Sequence, residues 1–340
     1  MSTLHAKCPR CGAVGQHYGG RRRRCRQCGR TWTIRPKRRG PAPRRIRSDL
    51  PDKLLSGKTT TAQLAKSCRC SATTVRRHCR RACRTLVGAG GLPRLPATGT
   101  STLALIVDGM WCRFRHRHWV LYCMAVKPTD ASTAFFLDPV LIQGPENGAN
   151  WALALATLPP AVAARVRALV TDGFGGHKRE ARGRGWLVQR CHRHLDAILW
   201  GVYARRKRRL RGGKIRKAIY DAVVEIRSTA DLRRVAELGL ALRRYARHPD
   251  LTDRIRGVVR RLLHDLASFR TYLDYPELNL PTTTNAVESR NNLMREVLSC
   301  VNNPTAALLR ARAYTRLHPS ITCNSHENQQ KPCLHPQVAD

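Results

Sequence analysis

Acidic residues are scarce in this chain. It holds 22 Asp and Glu against 63 Lys and Arg over 340 residues, a formal charge of +41. A merely solvated surface does not need an excess of this size, and a polyanion is the expected partner. Long apolar runs are also missing. The longest stretch, ANWALALATLPPAVAA, falls short of the ~20 residues that a membrane span requires and is broken by Pro159 and Pro160. No charged start followed by an apolar block is read at the amino terminus, so no signal peptide is expected. With nothing to indicate an oxidising compartment, the 14 cysteines read as metal ligands and reduced thiols of a cytoplasmic, nucleoid-associated protein.

The charge is placed unevenly. Residues 1–94 carry 25 Lys and Arg but only two acids, Asp49 and Asp52, which makes this part a basic grip on nucleic acid. Its first segment, residues 1–35, contains Cys8-Pro9-Arg10-Cys11 and Cys25-Arg26-Gln27-Cys28. Each knuckle presents two thiolates to one side of a tetrahedral ion, and four thiolates leave no open position, so a structural Zn2+ is expected. Gly12 and Gly29 follow the second cysteine of each pair, where the turn calls for positive φ. Arg21, Arg22, Arg23 and Arg24, lying between the knuckles, are candidate DNA contacts.

Residues 36–47, basic and broken by proline, read as a linker that tracks the DNA backbone. Residues 48–92 follow with helix-turn-helix spacing. A short helix carries Ala62, Leu64 and Ala65, a turn runs from Ser67 to Cys70, and a second helix starts at Ser71. Ser71 caps that helix and Val75 faces the core. Thr73, Thr74, Arg76, Arg77, Arg80 and Arg81 then face a groove and its phosphates. An ordinary amphipathic helix pair is the competing reading. Cys68, Cys70, Cys79 and Cys83 form no second pair of knuckles and read as surface or core thiols.

From about residue 100 the pattern becomes that of strands. LALIVDGMWC, HWVLYCMAV and STAFFLDPVLI suggest an antiparallel meander, and a helix is expected over residues 146–158. RALVTD then reads as a buried strand, parallel and adjacent to the first through a right-handed crossover, followed by GWLVQRC. A long stretch rich in helix formers runs from about His194 to Leu273 before TTTNAVESRNNLMRE. Three acids stand out: Asp108 closes LALIVD, Asp172 closes ALVTD, and Glu288 sits in the late helix. Two carboxylates rising from a sheet beside a third on a helix have the oxygen donors of a two-metal site of the magnesium kind. Each acid also has a plainer explanation. Asp-Gly is a preferred turn pair at Asp108 and Asp172, and Asn285 and Glu288 have capping-box spacing.

The cysteine knuckles, the helix-turn-helix, VDG, TDG, QRCHRH and TTTNAVES together resemble the bacterial insertion-sequence transposases of the Mutator-like superfamily, over most of the chain. The resemblance implies an α/β, ribonuclease H-like mixed sheet with helices on both faces, spanning residues 100–195 and 281–318 and interrupted by an all-helical insertion at residues 196–280. It implies a DDE triad of Asp108, Asp172 and Glu288 holding two Mg2+ or Mn2+ ions, and an accessory Cys-x-x-His motif at Cys191 and His194. It implies, too, cutting and strand transfer at the terminal repeats of a mobile element, on double-stranded DNA, by a homodimer or larger synaptic assembly. Cys191 and His194 alone supply two ligands, so their expected role is to buttress the active site. The tail, residues 319–340, is polar and broken by proline and is expected to be disordered. Two other classes remain: a non-catalytic DNA-binding protein, and a tyrosine recombinase using Tyr314 near Arg310 and Arg312, whose further active-site residues are not apparent.

Overall fold

The structure, a computed structural model, describes residues 7–20, 22–33, 50–56, 59–89, 101–200, 213–299 and 301–323. Arg21, the linker at 36–47 and residues 324–340 of the tail lie outside the described residues. The chain divides into two compact units, Met1–Arg47 and Ser48–Asp340.

The first unit is a three-stranded antiparallel sheet, β1 (Gly15–His17), β2 (Arg22–Cys25) and β3 (Thr31–Thr33), in that order. So small a sheet has almost no apolar interior, and among the described residues of this unit Cys8, Gly15 and Cys25 are buried. Gly12 and Gly29 adopt φ of 71° and 70°, as the knuckle turns require.

The second unit is α/β with a mixed sheet. Three helices come first: α1 (Leu50–Leu55), α2 (Thr61–Ser67) and α3 (Ala72–Ala89). Thr60 and Gln63 form a capping box at α2, and the Ser71 hydroxyl accepts the Thr74 N–H at 3.1 Å, starting α3 where the sequence places it. These helices do not stand apart as a segment over 48–92. Leu55 and Cys83 share a buried cluster with the sheet residues Ile106, Met110 and Val170.

The sheet contains β4 (Leu103–Phe114), β5 (Arg117–Pro128), β6 (Thr133–Phe136), β7 (Val140–Gln143), β8 (Val166–Thr171), β9 (Leu187–Arg190) and β10 (Ser320–Thr322). Its order is β10-β6-β5-β4-β8-β9, with β7 also paired to β5. The β4–β8 and β8–β9 pairs are parallel and the others antiparallel. The expected single strand STAFFLDPVLI is broken in two. Phe136 pairs with Ala125 and Val140 with Tyr122, so four steps on one side face three on the other, a one-residue bulge at Leu137-Asp138-Pro139. Pro139 has no N–H to give to the ladder there. The tail expectation is also corrected in part: β10 pairs with β6, and the Cys323 N–H donates to Ser132 O at 2.7 Å. Ile321 supplies the apolar residue that seats this edge strand on the core.

Residues of alternating parity leave β4 on opposite faces. One face carries Ala104, Ile106 and Met110 beneath α12 (Asn285–Leu298) and α13 (Pro304–Leu317). The other carries Leu103, Leu105 and Val107 beneath α4 (Gly148–Leu155), α5 (Pro160–Ala163) and α6 (Gly175–Gly183). The helix expected over 146–158 is thus shorter, capped by the Asn147 side chain. After β9 come α7 (His192–Trp200), α8 (Gly213–Ser228), α9 (Leu232–Tyr245), α10 (Asp253–His264) and α11 (Leu266–Asp274), which build a core of their own from Leu195, Val223, Leu242, Val259 and Phe269.

Trp151 on α4 is fully buried, edge-on to Tyr122 at 4.6 Å and to His177 at 4.4 Å, with its Nε1 donating to Glu146 at 2.9 Å. Trp151→Ala is expected to cost about 3–5 kcal/mol in denaturant unfolding, and Trp151→Phe much less.

Candidate metal sites and a basic helical face

The parallel register decides where the two aspartates lie. Ile106 pairs with Val170 at the end of the parallel register, so Asp108 and Asp172 each follow that pair by two residues, and the Asp172 charge acts on the Asp108 carboxyl. Asp108 shares parity with Ala104, Ile106 and Met110, and its carboxylate meets α12 at Asn291, whereas the Asp172 carboxylate, just past the end of β8, lies 3.7 Å from His177 Nδ1. Asp108 is not a turn residue, since the β4–β5 ladder runs through it to Phe114. Asp172 does serve a turn: its Oδ1 accepts the Phe174 N–H at 2.9 Å and the Thr171 hydroxyl at 3.2 Å.

The helix α12 supplies the third acid. Its N-cap is Thr284 rather than Asn285, and the Thr284 hydroxyl donates to Glu288 Oε1, so the capping box expected from Asn285 is not formed. Three residues past Glu288 on the same helix face, Asn291 Nδ2 donates to Asp108 Oδ2 at 2.6 Å. Asn291 was not singled out from the sequence, though its spacing from Glu288 carried the signal. Glu146 was also missed. A side chain at Gly109 would collide with its carboxylate, which lies on the opposite side of β4 from Asp108; a lone acid ahead of a helix carries no signal in sequence.

Cys191 sits between β9 and α7. Its N–H donates to Thr171 O at 2.7 Å, and its Sγ accepts the Thr284 N–H at 3.3 Å, with the Thr284 hydroxyl oxygen also 3.3 Å away. This ties the end of β8 to the start of α12. His194 Nδ1 lies 3.4 Å from Glu288 Oε1. His192 points away, its Nε2 2.8 Å from Phe269 O. A small recess beside these residues is lined by Asp172, Arg190, Cys191, His194 and Phe269 among others.

Among the described residues, two groups of three or more Cys, His, Asp or Glu bring ligand atoms within 4.8 Å of one another. One is Cys8, Cys11, Cys25 and Cys28. Cys8 and Cys28 sulfurs are 3.6 Å apart, Cys11 and Cys25 sulfurs 3.4 Å. The Arg10 and Cys28 N–H groups donate to Cys8 and Cys25 Sγ at 3.4 Å each, the polarity a thiolate requires. Zn–S bonds of about 2.3 Å place tetrahedral sulfurs roughly 3.8 Å apart, close to these spacings, so the cluster fits a structural metal such as zinc. The other group is Cys191, His194 and Glu288. Asp108, Asp172 and Glu288 are not one such group. They are coupled instead through charge.

Burial pushes the Asp108 carboxyl from 3.8 up to about 7, helped by the charges of Glu288 and Asp172 and opposed by the Asn291 hydrogen bond. The Cys191 sulfur, and then Glu288 and Asp172, push the His194 imidazole up to about 9 against the effect of burial. Burial holds His177, whose Nδ1 is 3.7 Å from Asp172, down at about 4.

On α3, Thr73, Arg76, Arg77, Arg80 and Arg81 are exposed and Thr74 half-buried, while Val75, Cys79 and Cys83 are buried. The six candidate contacts therefore lie off the buried stripe. Arg22 and Arg24 on β2 are exposed and Arg23 half-buried. No protein-family model matches the chain, and no curated protein matches it.

Two tests follow from this geometry. Cys8→Ser should lose the zinc of the four-cysteine cluster, measured as metal content of the purified protein, because three thiolates hold the ion less well in a segment without a core. Asp108→Asn should stabilise the metal-free protein. The unfolded chain ionises this carboxyl from about 4 upward, whereas the folded chain keeps its proton until about 7. Stability therefore falls as pH rises through that window, and at pH 8 the variant should unfold later by on the order of 3 kcal/mol.

Proposed function

We propose that this protein is a DNA transposase: it binds the ends of a mobile element and catalyses metal-dependent cleavage and strand transfer through Asp108, Asp172 and Glu288. The observation that carries the reading is that Asp108 and Asp172 each lie two residues past the last pair, Ile106 with Val170, of two adjacent parallel strands, and that the charges of Asp172 and Glu288 both raise the Asp108 carboxyl. The same arrangement, with helices on both faces and a helical insertion after β9, agrees with a ribonuclease H-like catalytic domain. Resemblance to Mutator-like transposases, a charge of +41, the cysteine cluster and the basic face of α3 support DNA as the substrate.

The donor set fits magnesium. Three carboxylates offer hard oxygen ligands, and burial together with the charges of Glu288 and Asp172 raises the Asp108 carboxyl, which a bound cation would offset. Two Mg2+ ions held there would supply activation of the attacking oxygen and stabilisation of the leaving one. The chain's own part is placement. Asn291 fixes the Asp108 carboxylate, the Phe174 N–H fixes that of Asp172, and Cys191 ties the end of β8 to the start of α12. In the first step a water oxygen bonds to phosphorus at the element end and the P–O bond to the 3′ oxygen breaks, leaving a 3′-hydroxyl. In the second, that hydroxyl oxygen bonds to a target phosphorus and displaces the target's own 3′ oxygen, so phosphodiesters are exchanged without an external energy source. Handling two ends at once calls for a dimer or larger assembly.

A tyrosine nucleophile is disfavoured by burial. Tyr314 is 3% exposed, packed in the core beneath the Arg290 guanidinium.

Asp108→Asn, Asp172→Asn and Glu288→Gln should each abolish magnesium-dependent cleavage of a labelled terminal repeat, by at least about a hundredfold, while end binding stays near normal. Binding itself should weaken steeply with salt, reflecting many phosphate contacts. Binding without any cleavage by the parent protein would instead mark it as a non-catalytic DNA-binding protein.

A further inference from the structure

We propose that Cys191, His194 and Glu288 form a second site for a thiophilic divalent cation of the zinc class, distinct in chemistry from both the four-cysteine cluster and the carboxylate pair. The three residues come from two separate elements, the β9–α7 junction and the first turn of α12, yet their ligand atoms lie within 4.8 Å of one another. A Cys-x-x-His spacing by itself supplies two donors. The tertiary fold adds the third.

The donor atoms are prepared for a cation. Cys191 is 1% exposed, and its sulfur accepts the Thr284 N–H at 3.3 Å, which holds it at the start of α12. His194 Nδ1 is buried and makes no hydrogen bond, an unusual condition for a ring nitrogen with a carboxylate 3.4 Å away. That separation is the edge of a tetrahedron: Zn–N and Zn–O bonds of about 2.0 Å put two such ligands roughly 3.3 Å apart. A cation between them would satisfy the orphaned nitrogen and the carboxylate together. Sulfur and imidazole select zinc over magnesium, which prefers oxygen donors throughout. Three protein ligands leave a fourth position open, as in zinc sites that admit water or substrate, and the recess lined by Arg190 and Asp172 adjoins it.

The inference does not need the strand-transfer reading, although Glu288 is common to both. If zinc occupies the site, Glu288 is divided between a soft cation and the aspartate pair, and zinc above stoichiometry should then suppress magnesium-dependent cleavage.

The test uses the full chain. Zinc counted on the purified protein should be about two equivalents, and zinc-edge X-ray absorption should give a mean of about 2.5 sulfurs per zinc, against about four for the cysteine cluster alone. Cys191→Ser and His194→Ala should each lose one equivalent and raise the mean sulfur count toward four. Asp108→Asn removes a neighbouring carboxylate but no soft donor, and should keep both ions. Because sulfur count is measured on the parent protein, the result does not depend on the variants folding. One zinc per chain with four sulfurs, or two zincs that survive Cys191→Ser in a folded variant, overturns the site. Failure of magnesium-dependent cleavage by protein stripped of the second zinc would count against the transposase reading alone.

Discussion

Much in the larger unit answers to one electrostatic constraint: a carboxylate is buried within reach of the charges of two others. Asp108 and Asp172 follow the ends of adjacent parallel strands, and burial, helped by the charges of Glu288 and Asp172, raises Asp108 to about 7. A chain of +41 has charge enough to neutralise this pocket, yet among the described residues no Lys or Arg donates a hydrogen bond to either aspartate. The nearest contacts are neutral, with Asn291 on one acid and backbone and hydroxyl groups on the other. Uncompensated negative charge costs stability. In a site it also creates affinity for a cation, and the two effects are the same free energy seen from either side.

Around this pocket the packing is conventional and serves to hold the strands. Both faces of the sheet are covered, one by α12 and α13, the other by α4, α5 and α6, so β4 reads as a nearly continuous apolar run. The bulge at Leu137–Pro139 lets β6 and β7 share β5, and β10 extends the sheet beyond β6. The insertion carries its own core and meets the sheet at residues that matter to the pocket. Arg190 lies over the Phe269 ring at 4.6 Å and 3.6 Å from Asp265, and Gln189 accepts the Tyr272 N–H at 3.0 Å. The end of β9, and with it Cys191, is thereby fixed from both the sheet and the insertion.

The first unit solves a different problem with the same chemistry. A three-stranded sheet of ten strand residues cannot bury enough apolar area to fold securely, and four sulfurs take the place of a core.

How far the chain is legible without coordinates follows from the range of the interactions. Local features are written in consecutive residues: the doubled Cys-x-x-Cys with Gly12 and Gly29, the Ser71 cap, the apolar run ending in Asp108, the parallel strand ending in Asp172. Each depends on contacts within a few positions, so spacing suffices. Residues 320–323 misled because a polar, proline-broken composition says nothing of a partner strand distant in sequence, and β6 provides one. Cys191 and His194 looked like two ligands because the third, Glu288, is on a helix that sequence places almost a hundred residues away. Asn291 was silent for the same reason, since its partner Asp108 is 183 positions distant. The sequence alone determined which residues could carry charge, cap a helix or ligate a metal. Which of them meet was decided by the closure of the sheet and the docking of α12 on it, because such contacts join residues far apart in the chain, as Asn291 and Asp108 show.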